Sequence, residues 1–137
     1  MNSIATRIRS KSERGQTMAE FTLVLPLLVL LLFGILQFGI VFNQYLAVTD
    51  SVRAGARVGS VARFLPPGER KQAVIDKVEE SAVDLDLAKL EITVDAPANW
   101  APGSDVTVQA QYPYTIKLLG IGLKEGFVSS STTERVE

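Results

Sequence analysis

Hydrophobic and polar residues divide the chain of 137 residues into a long apolar run, an amphipathic segment and several alternating segments. Residues 21–42 carry no charged side chain, and the uncharged stretch continues to Thr49. A helix needs roughly 20 apolar residues to span a bilayer, so the run predicts a transmembrane helix over about 21–42. The alternative, a core helix inside a soluble protein, usually has a shorter apolar run.

A removable secretory signal is the second alternative for this run. Such a signal has an apolar core of about 7–15 residues followed by small residues at the cleavage point. The run is longer than that, and the bulky Tyr45 lies two residues before the only reasonable small residue, Ala47. We therefore predict an anchor that is retained in the membrane.

The orientation of the anchor follows from the basic residues that precede it. Positive charge is retained on the cytoplasmic side, which predicts a translocated C-terminal part. Basic residues beyond the run weaken this prediction slightly, but they start well past its end. The preceding cluster consists of Arg7, Arg9, Lys11 and Arg14, and the later residues are Arg53, Arg57 and Arg63.

Helical spacing continues beyond the apolar run. Small residues recur at every fourth position, which lets another element approach the helix closely. Either a second helix or the chain's own domain fills this face, and we favour the domain because a small core needs every apolar surface. Pro26 predicts a mild kink or, alternatively, a loosened helix. The helix is expected to end near residue 64, before Pro66 and Pro67. The helix-packing positions are Ala47, Ser51, Gly55 and Gly59.

Residues 69–83 have the spacing of an amphipathic helix. The apolar stripe contains Val74, Ile75, Val78 and Ala82, and the outward side chains are Arg70, Lys77, Glu79 and Glu80.

Three later segments alternate between apolar and polar residues and predict a small antiparallel sheet of about three strands. They are residues 90–95, residues 105–112 and a Ser- and Thr-rich edge strand at 127–136. Pro113 is expected to end or bend the middle strand. The predicted fold class is therefore α+β, with a long N-terminal helix, a second short helix and this sheet.

Two loops invite functional interpretations. Trp100 lies in a proline-rich loop, where it either binds a partner or, as we favour, closes the end of a small core. Residues 117–124 form an apolar, glycine-containing loop that either contacts a partner or covers the sheet.

Composition excludes several function classes. The formal net charge is −1, and histidine and cysteine are absent. Residues 1–63 hold seven basic and three acidic residues, whereas residues 64–137 hold seven basic and twelve acidic residues. The basic leader has no interleaved aromatics, so we expect no nucleic-acid binding. No Cys/His metal site, histidine triad or phosphate loop can form, so we expect no metal, no cofactor, no small-molecule substrate and no catalysis. Sequence neighbours such as Asp84 and Asp86 are better explained as a solvated acidic surface.

One motif carries more information than composition does. Gly15, followed by Glu20 and Phe21 and then the apolar run, resembles a type IV prepilin processing site of the Flp (type IVb) variety. The longer pattern at residues 14–21, with residues 43–50 and 53–57 downstream, resembles the TadE-like pseudopilins. The closing residues 132–137 are also similar to the end of that family's domain.

The resemblance implies a processing event and a role. A membrane-embedded aspartic prepilin peptidase would cut after Gly15 and leave Gln16 as the new N-terminus. In the Flp group, the glutamate at the place of Glu20 is implicated in processing and assembly. Major Flp pilins usually have tyrosine where this chain has Phe21, and they are much shorter, so the resemblance implies a minor pilin or pseudopilin of a tight-adherence pilus.

These expectations give a domain plan and a setting. Residues 1–15 are predicted to be the leader, residues 16–64 the long helix, and residues 65–137 an extracytoplasmic α+β domain. The expected location is a bacterial inner membrane, which the chain crosses once. The expected partners are the bilayer, the peptidase, and other pilins or pseudopilins with their assembly machinery. The alternative is an unprocessed, signal-anchored periplasmic adaptor or binding module.

Overall fold

A computed structural model describes the backbone of residues 3–118 and 121–137 and the side chains of residues 15–117 and 122–137. The elements in chain order are helix α1 (Ser3–Val61), a 3₁₀ turn (Ala62–Phe64), helix α2 (Arg70–Ser81), a 3₁₀ turn (Leu87–Lys89), and strands β1 (Glu91–Asp95), β2 (Asp105–Leu118) and β3 (Ile121–Arg135). The predicted α+β class, with its two helices and three-stranded antiparallel sheet, is confirmed.

The chain divides into two compact units, residues 1–38 and residues 39–137. The described part of the first unit is entirely helical, and between residues 15 and 38 its large apolar side chains are exposed, apart from the half-buried Phe33. The second unit contains the rest of α1, together with α2 and the sheet. Its helical wall therefore includes α1 residues that precede the 3₁₀ turn.

The sheet has the order β1-β2-β3, and both pairings are antiparallel. Val94 of β1 lies beside Val108 of β2, and Tyr112 of β2 lies beside Val128 of β3. These side chains are buried, whereas their neighbours along β1 and β3 are mostly exposed. The sheet consequently has one face in the core and one polar face, as alternation of apolar and polar residues predicts.

The core of the second unit is built mainly from valine. Small and β-branched side chains suit a helix packed closely on a pleated sheet, because they leave little space between the layers. The most deeply buried large side chains are Val48, Val52, Val74, Val78, Val106, Val108 and Val136. The chain end closes this core, since the Glu137 N–H donates to the Ser60 carbonyl at 2.9 Å.

Helix α2 agrees with the predicted stripe but not with one predicted outward residue. Val74 and Val78 are fully buried, and Ala82 is buried just after the helix ends. Arg70 does not simply point to solvent, because its guanidinium donates to the carbonyls of Leu65, Asn99 and Arg63 at 3.0, 3.2 and 3.0 Å. The expectation of an outward Arg70 is therefore wrong.

The second and third strands are longer than predicted. β2 continues past Pro113, which lies beside Phe127 of β3, so the proline does not end the strand. The pairing of β2 with β1 ends at Gln111, so the β1 side of β2 is an unpaired edge from there on. A proline is tolerated on such an edge because it has no N–H to donate. Most of the predicted loop at 117–124 is strand, because Lys117 pairs with Gly122 and Leu118 with Ile121.

Trp100 is part of the core, as favoured from the sequence. The residue is 6% exposed, and its backbone N–H donates to the Pro97 carbonyl at 3.0 Å. Its backbone has a φ of 49°, a conformation that is uncommon outside glycine.

Candidate functional site

The predicted processing position lies within α1. Gly15 is exposed, and a Cβ built on it would meet nothing within 4 Å outside the adjacent helix backbone. Glycine costs about 1 kcal/mol relative to alanine in a helix, which makes local opening easier at this position. The basic side chains of the leader, Arg7, Arg9, Lys11 and Arg14, lie outside the described side chains.

Gln16 and Glu20 interact across one helical turn. The Gln16 Nε2 donates to Glu20 Oε1 at 3.1 Å, and both side chains are exposed in the single chain. The i, i+4 spacing brings the two groups to the same helix face. Phe21, the next residue of the motif, is 58% exposed. The motif thus presents one carboxylate and one aromatic ring at the start of the apolar run.

The apolar run forms a candidate membrane span. Within the described residues, one helix, Gly15–Phe64, is long and apolar enough to cross a membrane by length and composition. The helix continues through Pro26. The Thr22 hydroxyl donates to the Met18 carbonyl at 2.8 Å, one turn before the position that the proline affects. The exposed leucines and isoleucines require an apolar environment that the described chain does not provide.

The helix-packing positions face the chain's own second unit. Ser51 is completely buried and donates from its hydroxyl to the Val48 carbonyl at 2.9 Å. A Cβ at Gly55 would overlap the Val78 Cγ2 methyl group and lie 3.6 Å from Val108 Cγ1. A Cβ at Gly59 would lie 3.0 Å from Val106 Cγ1. Ala47 is half-buried. The two glycines therefore let α1 approach both α2 and β2.

The structurally important residue that sequence reasoning missed is Arg70. It lies in the first turn of α2, where a positive charge is unfavourable to the helix dipole. Its three backbone acceptors come from the 3₁₀ turn after α1, the linker and the loop before β2. A basic residue at a helix N-terminus beside a Pro-Pro-Gly linker is the one sequence signal that could have suggested carbonyl partners.

The fold and the site together define an α+β protein with an N-terminal apolar helix that is a candidate membrane anchor. Residues 15–57 match the model of the family described as TadE-like protein, which confirms the resemblance over this segment. No curated protein and no solved structure matches the chain significantly.

Proposed function

We propose that this chain is a membrane-anchored minor pilin or pseudopilin of a Flp/Tad-type adhesion pilus. It is cleaved after Gly15 by a prepilin peptidase and takes part in pilus assembly from a bacterial inner membrane. The observation that carries the proposal is the family match, which begins at Gly15 and extends through Glu20, the apolar run and the packed part of α1 to Arg57.

Cleavage is supported by the surroundings of Gly15. Gly15 has no side chain of its own, and among the described residues, its two chain neighbours aside, no side chain lies within 4 Å of where a Cβ would be, which favours access of a peptidase to the peptide bond that follows. Cleavage would remove the basic leader and create a new α-amine on Gln16. That amine would be the only positive charge near the membrane end of the mature helix, because the next basic residue is Arg53.

An assembly role is supported by the position of Glu20. A carboxylate at the edge of a membrane-length apolar run is costly to place near lipid unless it has a partner. In an assembly of trimmed subunits, the Gln16 amine of a neighbour provides the opposite charge, and the attraction is stronger in a low-dielectric setting than at a surface. Glu20 is also the last acid before Asp50, so such a pair fixes the axial register of adjacent helices.

The remainder of the chain supports a structural role. The second unit uses its small helix residues to build its own core, so it can present a stable surface to other pilins or pseudopilins and their assembly machinery. We propose no catalytic role for any of its residues. The proposed partners are therefore the bilayer, the peptidase and other subunits.

The test is the mass of the intact protein extracted from membranes with and without an active prepilin peptidase. The proposal expects a chain that begins at Gln16 only when the peptidase is active. Gly15→Val should block this trimming, whereas Gly34→Val should not, because Gly34 lies in the same helix with equally open surroundings. Full-length protein in the presence of an active peptidase refutes the proposal and favours the unprocessed adaptor.

Glu20→Gln tests the charge separately. Glutamine retains an oxygen that can accept the hydrogen bond from Gln16 Nε2, so the local contact is preserved while the charge is removed. We expect a loss of processing, of assembly or of both. Normal trimming together with normal pilus formation would show that the carboxylate has no such role.

A further inference from the structure

Helix α1 and strand β2 run in opposite directions within the second unit. The Cβ position of Gly59 faces Val106, and the Cβ position of Gly55 faces Val108. The residue numbers fall along the helix as they rise along the strand. β2 therefore runs toward the end of the unit that holds Gly39 and Phe42, which are among the last residues of the apolar run.

The lengths of the two elements carry β2 to the level of Phe42. Thirteen residues separate Gly55 from Phe42, about 20 Å of helix. Ten residues separate Val108 from Leu118, about 33 Å of strand. The difference, about 13 Å, leaves room for strand inclination and twist. The β2–β3 hairpin thus extends to the level of Phe42, where the predicted transmembrane segment ends.

We call the last part of this ribbon the hairpin end, described over residues 113–117 and 122–127. It lies beyond the last pairing with β1. The Tyr114 ring crosses Gly126 so closely that a Cβ there would lie 2.8 Å from the Tyr114 hydroxyl oxygen. An aromatic ring over a cross-strand glycine stiffens a two-stranded ribbon. The described residues of the hairpin end are consequently held in a regular paired ribbon.

The chemistry of the hairpin end differs from that of the rest of the unit. Leu123 is 62% exposed and Phe127 is 66% exposed. Lys117 and Lys124 are also exposed, and they are the only basic residues between Lys89 and Arg135. The sequence between them contains three leucines and one isoleucine, with no charge. Apolar and aromatic side chains flanked by lysines are typical of segments that bind the membrane interface.

We propose that the hairpin end binds the headgroup region of the bilayer that holds the chain's own apolar helix. Leu123 and Phe127 enter the interface, and Lys117 and Lys124 contact anionic phosphates. This second membrane contact rests on the proposed membrane anchoring. It fixes the second unit against the bilayer surface, since the unit is then held at both the helix and the hairpin. A lipid occupant is favoured because the hairpin end has a net charge of +1, from Lys117, Lys124 and Glu125, in a half of the chain that is otherwise acidic, and because it extends to the level of Phe42.

The test uses the full chain in lipid nanodiscs, and the absence of cysteine allows single labels. An environment-sensitive fluorophore is attached through Leu123→Cys at the hairpin end, Ser131→Cys farther along β3, or Val24→Cys in the apolar run. All three positions are exposed. The proposal expects blue-shifted emission and quenching by lipid-attached quenchers at positions 24 and 123, with aqueous emission at position 131.

Four results decide whether the hairpin end contacts lipid. A lipid signal at position 24 with an aqueous signal at position 123 overturns the hairpin contact and leaves the anchor intact, whereas aqueous signals at both positions overturn both. A signal at position 123 that requires more than one copy per disc indicates contact between copies and also overturns the proposal. With anionic phosphatidylglycerol added to phosphatidylcholine, Lys124→Gln should reduce the gain in lipid partitioning by roughly fivefold, and no reduction contradicts the phosphate contact.

Discussion

Gly55→Ala should destabilise the second unit, although the substitution normally strengthens a helix. The exchange of glycine for alanine gains about 1 kcal/mol of helix propensity. The added methyl group, however, would overlap Val78 Cγ2, and Val78 is completely buried. A β-branched side chain in a helix has essentially one available rotamer, so Val78 cannot swing aside. Overpacking of this kind costs about 1–3 kcal/mol, and we expect the upper part of that range.

The net destabilisation is then about 1–2 kcal/mol. It is measured by urea unfolding of the full chain in detergent micelles, followed by the fluorescence of Trp100, the only tryptophan and a core residue. Gly59→Ala is the matched control with a milder contact, because its Cβ would lie 3.0 Å from Val106 Cγ1 and Val106 would have to shift only slightly. We expect Gly59→Ala to be closer to neutral.

A double-mutant cycle isolates the contact between Gly55 and Val78. Val78→Ala alone removes buried methyl groups and should cost about 2 kcal/mol. The double variant gives the new methyl group space, so its cost should be at least ~0.5 kcal/mol less than the sum of the two single costs. If Gly55→Ala stabilises the chain by the propensity gain alone, or if the two costs simply add, the close approach of α1 to α2 has been misjudged.

Two further predictions concern the start of α2 and the turn before β1. Arg70→Ala should lower the free energy of unfolding by about 1–2 kcal/mol, because it removes three charged hydrogen bonds to carbonyls. Arg70→Lys should recover less than half of this loss, because an ammonium group cannot reach three divergent acceptors. An effect of Arg70→Ala below about 0.3 kcal/mol in urea unfolding would contradict the stabilising role of these hydrogen bonds. The hydrogen bond from Lys89, followed by that from the Ala88 N–H, lowers the pKa of Asp86 from its usual 3.8, and Asp86 in turn raises the pKa of Lys89 from 10.5. The pair therefore contributes stability that is present between these two values and is lost as the pH falls through the lowered pKa of Asp86 or rises through the raised pKa of Lys89. The contribution is small because both groups are exposed, and an Asp86→Asn variant whose urea midpoint has the same pH profile as the parent below pH 3.8 would disprove it.

Alternation and spacing predicted the elements of the fold well where burial follows a simple period. The predictions of the strand around Val106 and Val108 and of the apolar stripe on α2 were correct, because each element has one buried face and one solvent-exposed face. The extension of β2 beyond Pro113 was missed because it depends on where β1 ends, which is a property of the pairing. The hairpin at 117–124 was taken for a loop because its apolar residues and glycines do not alternate, and the register shift between Ile116 and Lys117 disrupts the period further.

The candidate site divides in the same way. Gly15 and Glu20 were predicted from a local motif, which depends only on spacing along one helix, and their roles stay predictions. Arg70 was assigned to the solvent because its three acceptors come from separate parts of the chain, and only the folded backbone brings them together. The sequence favoured packing of Gly55 on the chain's own domain over packing on a partner helix, because a small unit needs every apolar surface for its core. In the structure the Cβ position of Gly55 lies against Val78 of α2.

The continuity of α1 has a consequence for how the protein is made. Val48, Val52 and Ala56 belong to the same helix as the apolar run, yet they form one wall of the valine core. A fragment that begins after the Pro-Pro linker lacks this wall and exposes the valines of β2 to water, so it should aggregate when expressed alone. If the second unit is translocated as we propose, its folding depends on export, because the core is complete only when Val48, Val52 and Ala56 have reached the same side of the membrane as the sheet.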